Sequence, residues 1–177
     1  MERYIAMLRG INVSGQKIIK MTDLKAMFEA LKFKNVITYI QSGNVLFETK
    51  KAEESVLNKK IEQHLSKALG YDVPVFLRTT DEIAAVIEAQ PFKPAQIPLA
   101  NQPYVTFLHE TPGKDAIKLL ESFNGETDLF KVINREVYAV QYKDKGKPLF
   151  TNMFIEKKLK MVATGRNWLT VNKFMEL

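Results

Sequence analysis

The sequence contains no cysteine, only two histidines and a single tryptophan among its 177 residues. The absence of thiols excludes disulfides and thiolate chemistry. A structural zinc site is not expected, because such sites draw their four ligands mainly from Cys and His, and only His64 and His109 are available. No metal and no other cofactor is predicted.

Long hydrophobic runs are also missing. The apolar run Ile5–Leu8 stops at Arg9, which is far too short for the core of a signal peptide. The longest uncharged stretch, 94–109, carries three prolines and several amides, so it is not a membrane span. We therefore expect a cytoplasmic protein without a membrane partner. Nothing in the sequence indicates an oligomeric state.

The charge is unevenly distributed along the chain. The formal net charge is +6, and residues 131–177 hold 10 Lys/Arg against 4 Asp/Glu, so the whole excess lies in the last quarter. A basic segment of this kind indicates an anionic partner, such as a phosphate-bearing small molecule or nucleic acid. The alternative is a solvated, lysine-rich face, and charge alone does not separate the two.

Hydrophobic periodicity predicts strands and helices in the order β-α-β-β-α-β over the first half of the chain. Thr22 is the expected N-cap of the first helix, Gly70 the end of the second, and Pro74 marks an edge strand. A capping box at Thr79 and Glu82 then begins a connecting helix. It is followed by a linker with four of the seven prolines.

The same order of elements repeats after the linker. Tyr104–His109 resembles Tyr4–Arg9, and a short strand at Met161–Ala163 precedes a final helix that Asn167 caps. We predict an α+β protein of two tandem ferredoxin-like halves with antiparallel sheets. The expected division is residues 1–80, a connecting helix and proline-rich linker at 81–103, and residues 104–177 with a C-terminal helix.

The first candidate segment is the loop Gly10–Gly15. Its glycine spacing is that of a phosphate-binding P-loop, but Gln16 precedes Lys17 and Ile18 replaces the required hydroxyl. It is not an NTPase loop. Its backbone amides could cradle an anion beside Arg9 or Lys17, or its glycines and Asn12 could simply form a tight connection.

Two further polar segments suggest a site. Gln41, Ser42 and Asn44 cluster at a hairpin turn, where such residues serve either a ligand or the turn itself. Arg166 can bind phosphate or carboxylate, and Trp168 can stack on a base or pack the last helix against the sheet. No nucleophile and base pair stands out.

These segments resemble a bacterial family known as domain of unknown function 1697. The resemblance rests on Leu8–Val13 followed by Gly15, on Thr38–Val45, and on Thr164, Arg166-Asn167-Trp168 and Thr170-Val171. Ser14 departs from the pattern, since a second glycine is expected beside Gly15. The resemblance implies two ferredoxin-like halves and no established activity.

The polar and charged signature residues from three distant segments favour one shared pocket over three separate turns. Our leading hypothesis is a binding protein for a nucleotide-like phosphate or an RNA segment. Its predicted ligand-binding residues are Arg9, Asn12, Gln41, Ser42, Asn44, Arg166, Asn167 and Trp168.

Two alternatives stay open. One is an enzyme that acts on a small phosphorylated or acyl substrate, with His109 or Ser42 as the reacting group. The other is an architectural signature, in which Arg9 and Arg166 bond loop carbonyls and lock the two halves together.

Overall fold

The computed structural model describes residues 1–177 as an α+β fold with two four-stranded antiparallel sheets. The chain forms two compact units, residues 1–84 with 174–177, and residues 85–173. The sequence-based boundaries were at 80/81 and 103/104, whereas the compact units divide within the connecting helix. None of the helices is long and apolar enough to cross a membrane.

The first unit has the predicted order β-α-β-β-α-β, followed by the start of the connecting helix. Its sheet has the strand order β2-β3-β1-β4, so β1 is central and β4 lies at an edge, as Pro74 predicted. The elements are β1 (Glu2–Leu8), α1 (Met21–Ala30), β2 (Lys34–Tyr39), β3 (Asn44–Thr49), α2 (Glu54–Leu69), β4 (Val75–Thr79) and α3 (Thr80–Glu88).

The two helices α1 and α2 cover one face of this sheet. Alternate residues of β1, beginning with Tyr4 and Ala6, belong to the same buried cluster as Leu24 of α1 and Ile61 of α2. This follows from the period-2 pattern of a strand and the 3.6-residue pattern of a helix. Gly70 ends α2 with φ +80°, as its sequence position predicted.

The second unit repeats this arrangement with the strand order β6-β7-β5-β8. Leu120 and Ile155 of its two helices lie in one buried cluster with strand residues Phe130 and Ala139. Thr151 caps the second helix by accepting a hydrogen bond from the amide of Phe154 at 3.0 Å. The elements are β5 (Tyr104–Leu108), α4 (Lys114–Glu121), β6 (Asp128–Ile133), β7 (Glu136–Gln141), α5 (Asn152–Leu159), β8 (Ala163–Asn167) and α6 (Trp168–Lys173).

The β1–β4 and β5–β8 strand pairs of the two units match residue by residue. Tyr4 of β1 pairs with Thr79 of β4, and Tyr104 of β5 pairs with Asn167 of β8. Thr79 and Asn167 also both cap a helix, because the side chain of each accepts a hydrogen bond from a backbone amide of the helix that follows it. The order of elements that the sequence repeats is therefore accompanied by equivalent strand pairings in the two units.

Two local predictions were wrong. The predicted N-cap Thr22 lies inside the first helix, which begins at Met21 because the amide of Leu24 bonds the carbonyl of Lys20. Lys20 is therefore the N-cap residue, and its side chain makes no capping hydrogen bond. The last strand is Ala163–Asn167 and not Met161–Ala163. Its glycine and polar residues have low β propensity, and pairing along β5 overrides that propensity.

Tyr138 on β7 is a buried phenol. Its hydroxyl donates a 2.7 Å hydrogen bond to the carbonyl of Val86, and its side chain is 1% exposed. Burial, and secondarily the negative charge of Glu136, raise the pKa of this phenol above its ordinary value. The folded protein therefore keeps Tyr138 neutral at a pH where the unfolded chain ionises it.

We expect the stability supplied by Tyr138 to be full below pH ~10 and to fall above it. The free energy of unfolding should fall by up to about 1.4 kcal/mol per pH unit in the range where Tyr138 ionises in the unfolded chain but not in the folded protein. Tyr138→Phe lacks this titration and loses the bond to Val86, which costs about 1 kcal/mol at neutral pH. Urea unfolding of both proteins at several pH values should show their difference shrinking above pH ~10. A constant difference would contradict this account.

Candidate functional site

Three segments of the first unit meet at one end of its sheet. The chain leaves β1, turns between β2 and β3, and enters β4 at this end, because neighbouring strands are antiparallel. Backbone bonds join the segments, from Leu8 N to Gly43 O at 2.8 Å and from Arg9 N to Pro74 O at 2.9 Å. We call residues 9–20, 40–43 and 70–74 together the loop–hairpin end.

The segment after β1 folds into a small hairpin. The amide of Asn12 donates to Lys17 O at 3.1 Å, and the amide of Gln16 donates to Val13 O at 2.9 Å. Ser14 and Gly15 between them have φ values of +50° and +73°, which is a two-residue turn of type I′. The loop is thus the tight connection considered above, and two of its amides are already bonded within it.

The side chain of Asn12 ties this loop to the β2–β3 turn. Its Nδ2 donates to Gln41 O at 2.8 Å and to Ile19 O at 3.2 Å, while its Oδ1 accepts from Ile19 N at 2.8 Å. Asn is one of the few residues that tolerate its φ of +52°. The sequence grouped Asn12 with Gln41, and the structure places them in direct contact.

Asn44 and Gly43 fix the turn from inside. Asn44 is 0% exposed, and its Nδ2 donates to Tyr39 O and Ser42 Oγ, each at 3.0 Å. A Cβ on Gly43 would stand 2.5 Å from Cδ1 of Ile11, at a φ of +85°. Asn12 therefore positions this end by bonding backbone groups, and Gly43 and Asn44 do so from buried positions.

The groups that the end presents to solvent are different ones. Lys17 and Gln41 are exposed, and Arg9 and Ser42 are partly exposed. The ammonium group of Lys17 lies 5.2 Å from the ring centre of Tyr71, which brings the α2–β4 connection into the same surface. Arg9, Lys17 and Lys20 outnumber the one acidic residue of the loop–hairpin end, Asp72, which accepts a hydrogen bond from Ser66 Oγ, so the local field favours anions.

The third predicted segment belongs to the second unit. Arg166 is 7% exposed, and its Nη1 donates to Thr164 Oγ1 and to Gly165 O, each at 2.8 Å. Burial lowers the pKa of its guanidinium to about 10, so the group stays charged at neutral pH. Asn167 is exposed and caps α6 through its Oδ1, and Trp168 is partly buried at the start of that helix.

Arg78 is a buried arginine that the sequence reading did not select. It is 1% exposed, and its Nη1 donates to Leu77 O at 2.8 Å. It pairs with Ile5 of β1, and Arg166 pairs with Val105 of β5, so the two arginines hold corresponding positions. A charged residue inside the apolar run of β4 was the signal that could have identified it.

The predicted site residues therefore divide between the units. Arg9, Asn12, Gln41, Ser42 and Asn44 lie in the first, and Arg166, Asn167 and Trp168 in the second. One shared pocket stays a prediction. His109 is exposed after β5, where its carbonyl accepts a 3.4 Å hydrogen bond from Arg135, and Ser42 accepts one from Asn44. No three His, Asp or Glu side chains form a metal-binding group.

A family model described as "Protein of unknown function (DUF1697)" matches residues 1–138. The chain belongs to this family. The matched part contains the first two signature segments, Leu8–Val13 and Thr38–Val45, and ends before the third, so Arg166 and its neighbours lie outside it. No curated protein matches the sequence.

A solved structure has the same fold. The conserved bacterial protein SP0830 from Streptococcus pneumoniae superposes with a TM-score of 0.74 at 20% sequence identity. The match covers 99% of this chain and 97% of that chain. At this identity the similarity shows the fold alone, and it supports the two β-α-β-β-α-β units described above.

We expect Asn12→Ala to lower the free energy of unfolding by about 2–4 kcal/mol, because three backbone partners lose their hydrogen bonds and alanine is strained at positive φ. Asn12→Gly isolates the amide, since glycine accepts this φ. Asn35→Ala is the matched control, with a φ of +49° and one exposed bond to Glu48. Urea unfolding measures all three. Wild-type stability in Asn12→Gly would contradict the assigned role.

Proposed function

We propose that the protein binds an anionic ligand, a nucleotide-like phosphate or an RNA segment, at the loop–hairpin end of its first unit. The observation that carries the proposal is the Asn12 side chain, which holds the small hairpin and the β2–β3 turn in one fixed arrangement. Binding groups gain most when they stand on segments that other contacts already immobilise.

The division of labour within this end supports the same proposal. The amides of Asn44 and Asn12 donate to backbone carbonyls, and that of Asn44 also donates to Ser42 Oγ. Lys17 and Gln41 are exposed on the segments that these bonds fix. Lys17 and Arg9 would supply charge to a phosphate, and Gln41 and Ser42 would supply hydrogen bonds. The first 130 residues are neutral overall, so this cationic end is a local feature.

The second unit contributes a second basic region. Lys143, Lys145, Lys147, Lys157 and Lys160 are all exposed. Exposed lysines attract a polyanion such as RNA without base specificity. Of the eight ligand-binding residues predicted from the sequence, the proposed site keeps Arg9, Gln41 and Ser42. It also includes Lys17, which was not among the eight. The cytoplasmic location expected from the sequence stays a prediction.

We expect Lys17→Gln to weaken the binding of nucleoside triphosphates and short single-stranded RNA, and to reduce the salt dependence of RNA binding by about one released counterion. Calorimetric titration at two salt concentrations measures both quantities. Lys59→Gln is the control, since Lys59 is an exposed lysine near the start of α2, whereas Tyr71 follows the end of that helix. No saturable binding by the wild-type protein, or equal losses in both variants, would exclude the proposal.

An architectural role is the second candidate, and the bonding of the polar signature favours it. Asn12, Asn44 and Arg166 all donate to groups of their own unit. If these hydrogen bonds are the only role of the signature residues, the residues stabilise the fold and the protein binds no ligand through them.

In that case Arg9→Ala would lower the free energy of unfolding by about 2–4 kcal/mol, as for a broken network of partly buried bonds. No nucleotide or RNA would bind the wild-type protein. Chemical unfolding combined with the titrations above separates the two candidates. Nucleotide binding that Lys17→Gln weakens without loss of stability would exclude a purely architectural role.

A further inference from the structure

The loop–hairpin end exposes aliphatic side chains that the fold does not use. Val13 and Ile18 on the small hairpin are 57% and 72% exposed, and Ile40 on the β2–β3 turn is 44% exposed. A single exposed aliphatic residue needs no explanation, but these three lie on two segments that the Asn12 side chain joins. Lys17 lies between Val13 and Ile18 in the sequence of this segment.

Ile40 carries an additional cost. Its φ is +49°, a left-handed conformation that β-branched residues rarely adopt. Its side chain is only partly buried, at 44% exposed, and the turn would tolerate Asn or Gly better. Strained residues persist mainly where they serve a function, so the position points to a contact with something outside the chain.

We infer that the ligand of this end is a nucleotide whose base lies on Val13, Ile18 and Ile40 while its phosphate meets Lys17 and Arg9. The inference rests on the proposed function and names its ligand class. A flat base can contact aliphatic side chains on exposed tips, whereas a long acyl chain requires an enclosing groove to bury its length.

Hydrogen-bonding groups on the same two tips favour a base over an acyl chain. Gln16 lies in the small hairpin and Gln41 in the β2–β3 turn, and both side chains are exposed. A glutamine amide offers one donor and one acceptor side by side, which is the pattern that pairs with the edge of a base such as adenine. An acyl chain has no edge for such groups to recognise.

The full chain should bind nucleoside 5′-monophosphates more tightly than ribose 5-phosphate or inorganic phosphate, by at least about tenfold, since only the nucleotides carry a base. Calorimetric titration with these probes, and with octanoate as the acyl anion, measures the preference. Equal binding of nucleotide, ribose 5-phosphate and phosphate would overturn the inference and leave the proposed function intact. Tighter binding of octanoate would also overturn it.

Ile40→Asn removes the aliphatic contact without endangering the fold, because Asn accepts a left-handed φ. We expect its melting temperature to equal or exceed that of the wild type and its nucleotide affinity to fall about five- to tenfold, with phosphate binding unchanged. Ile18→Ser tests the same contact from the other tip. The control is Val56→Ser, an exposed aliphatic residue at the opposite end of α2 from Tyr71.

The outcomes separate the two proposals. Lower nucleotide affinity in Ile40→Asn and Ile18→Ser, but not in Val56→Ser, would support the base contact. Unchanged nucleotide affinity in both variants, with a loss in Lys17→Gln, would overturn the base contact and keep the anion site. If neither these phosphate probes nor short single-stranded RNA binds the wild-type protein, the proposed function fails together with the inference. If only RNA binds, the inference alone fails.

Discussion

The pairing of each unit's first strand with two neighbours organises this structure. β1 bonds β3 on one side and β4 on the other, and β5 bonds β7 and β8 in the same way. A strand in this central position satisfies its backbone groups on both edges, which is why it can be buried along most of its length. The antiparallel pairing also decides which loops are neighbours. The segments 9–20, 40–43 and 70–74 meet because β1 ends where β3 and β4 begin.

A buried cation in each edge strand is the second constraint. Arg78 and Arg166 hold corresponding positions opposite the central strand, and each donates to the carbonyl of the preceding residue. Removing a guanidinium from water is costly, as the lowered pKa of Arg166 reflects. Because this cost occurs at the same register position in both units, the buried arginine is a feature of the unit itself.

The loop–hairpin end separates positioning residues from presented ones. Asn12, Gly43 and Asn44 are fixed by hydrogen bonds or close packing, and their residue types follow from φ values and space. Lys17, Gln41 and the aliphatic tips are left to solvent. A signature motif in the sequence mixes both kinds.

The sequence by itself determined much of the fold. Apolar periodicity gave the element order of both units, and local chemistry identified the capping box at Thr79 and Glu82 and the helix end at Gly70. These signals act over a few residues, so a single chain carries them. The sequence could not show that Gly165 and Arg166 form a strand, since pairing with β5 overrides their low propensity. Nor could it show that the side-chain amide of Asn12 bonds Ile19 and Gln41 while Lys17 and Ile40 remain exposed. Only the tertiary structure decided this, because burial and hydrogen-bond partners depend on segments that lie far apart in the chain.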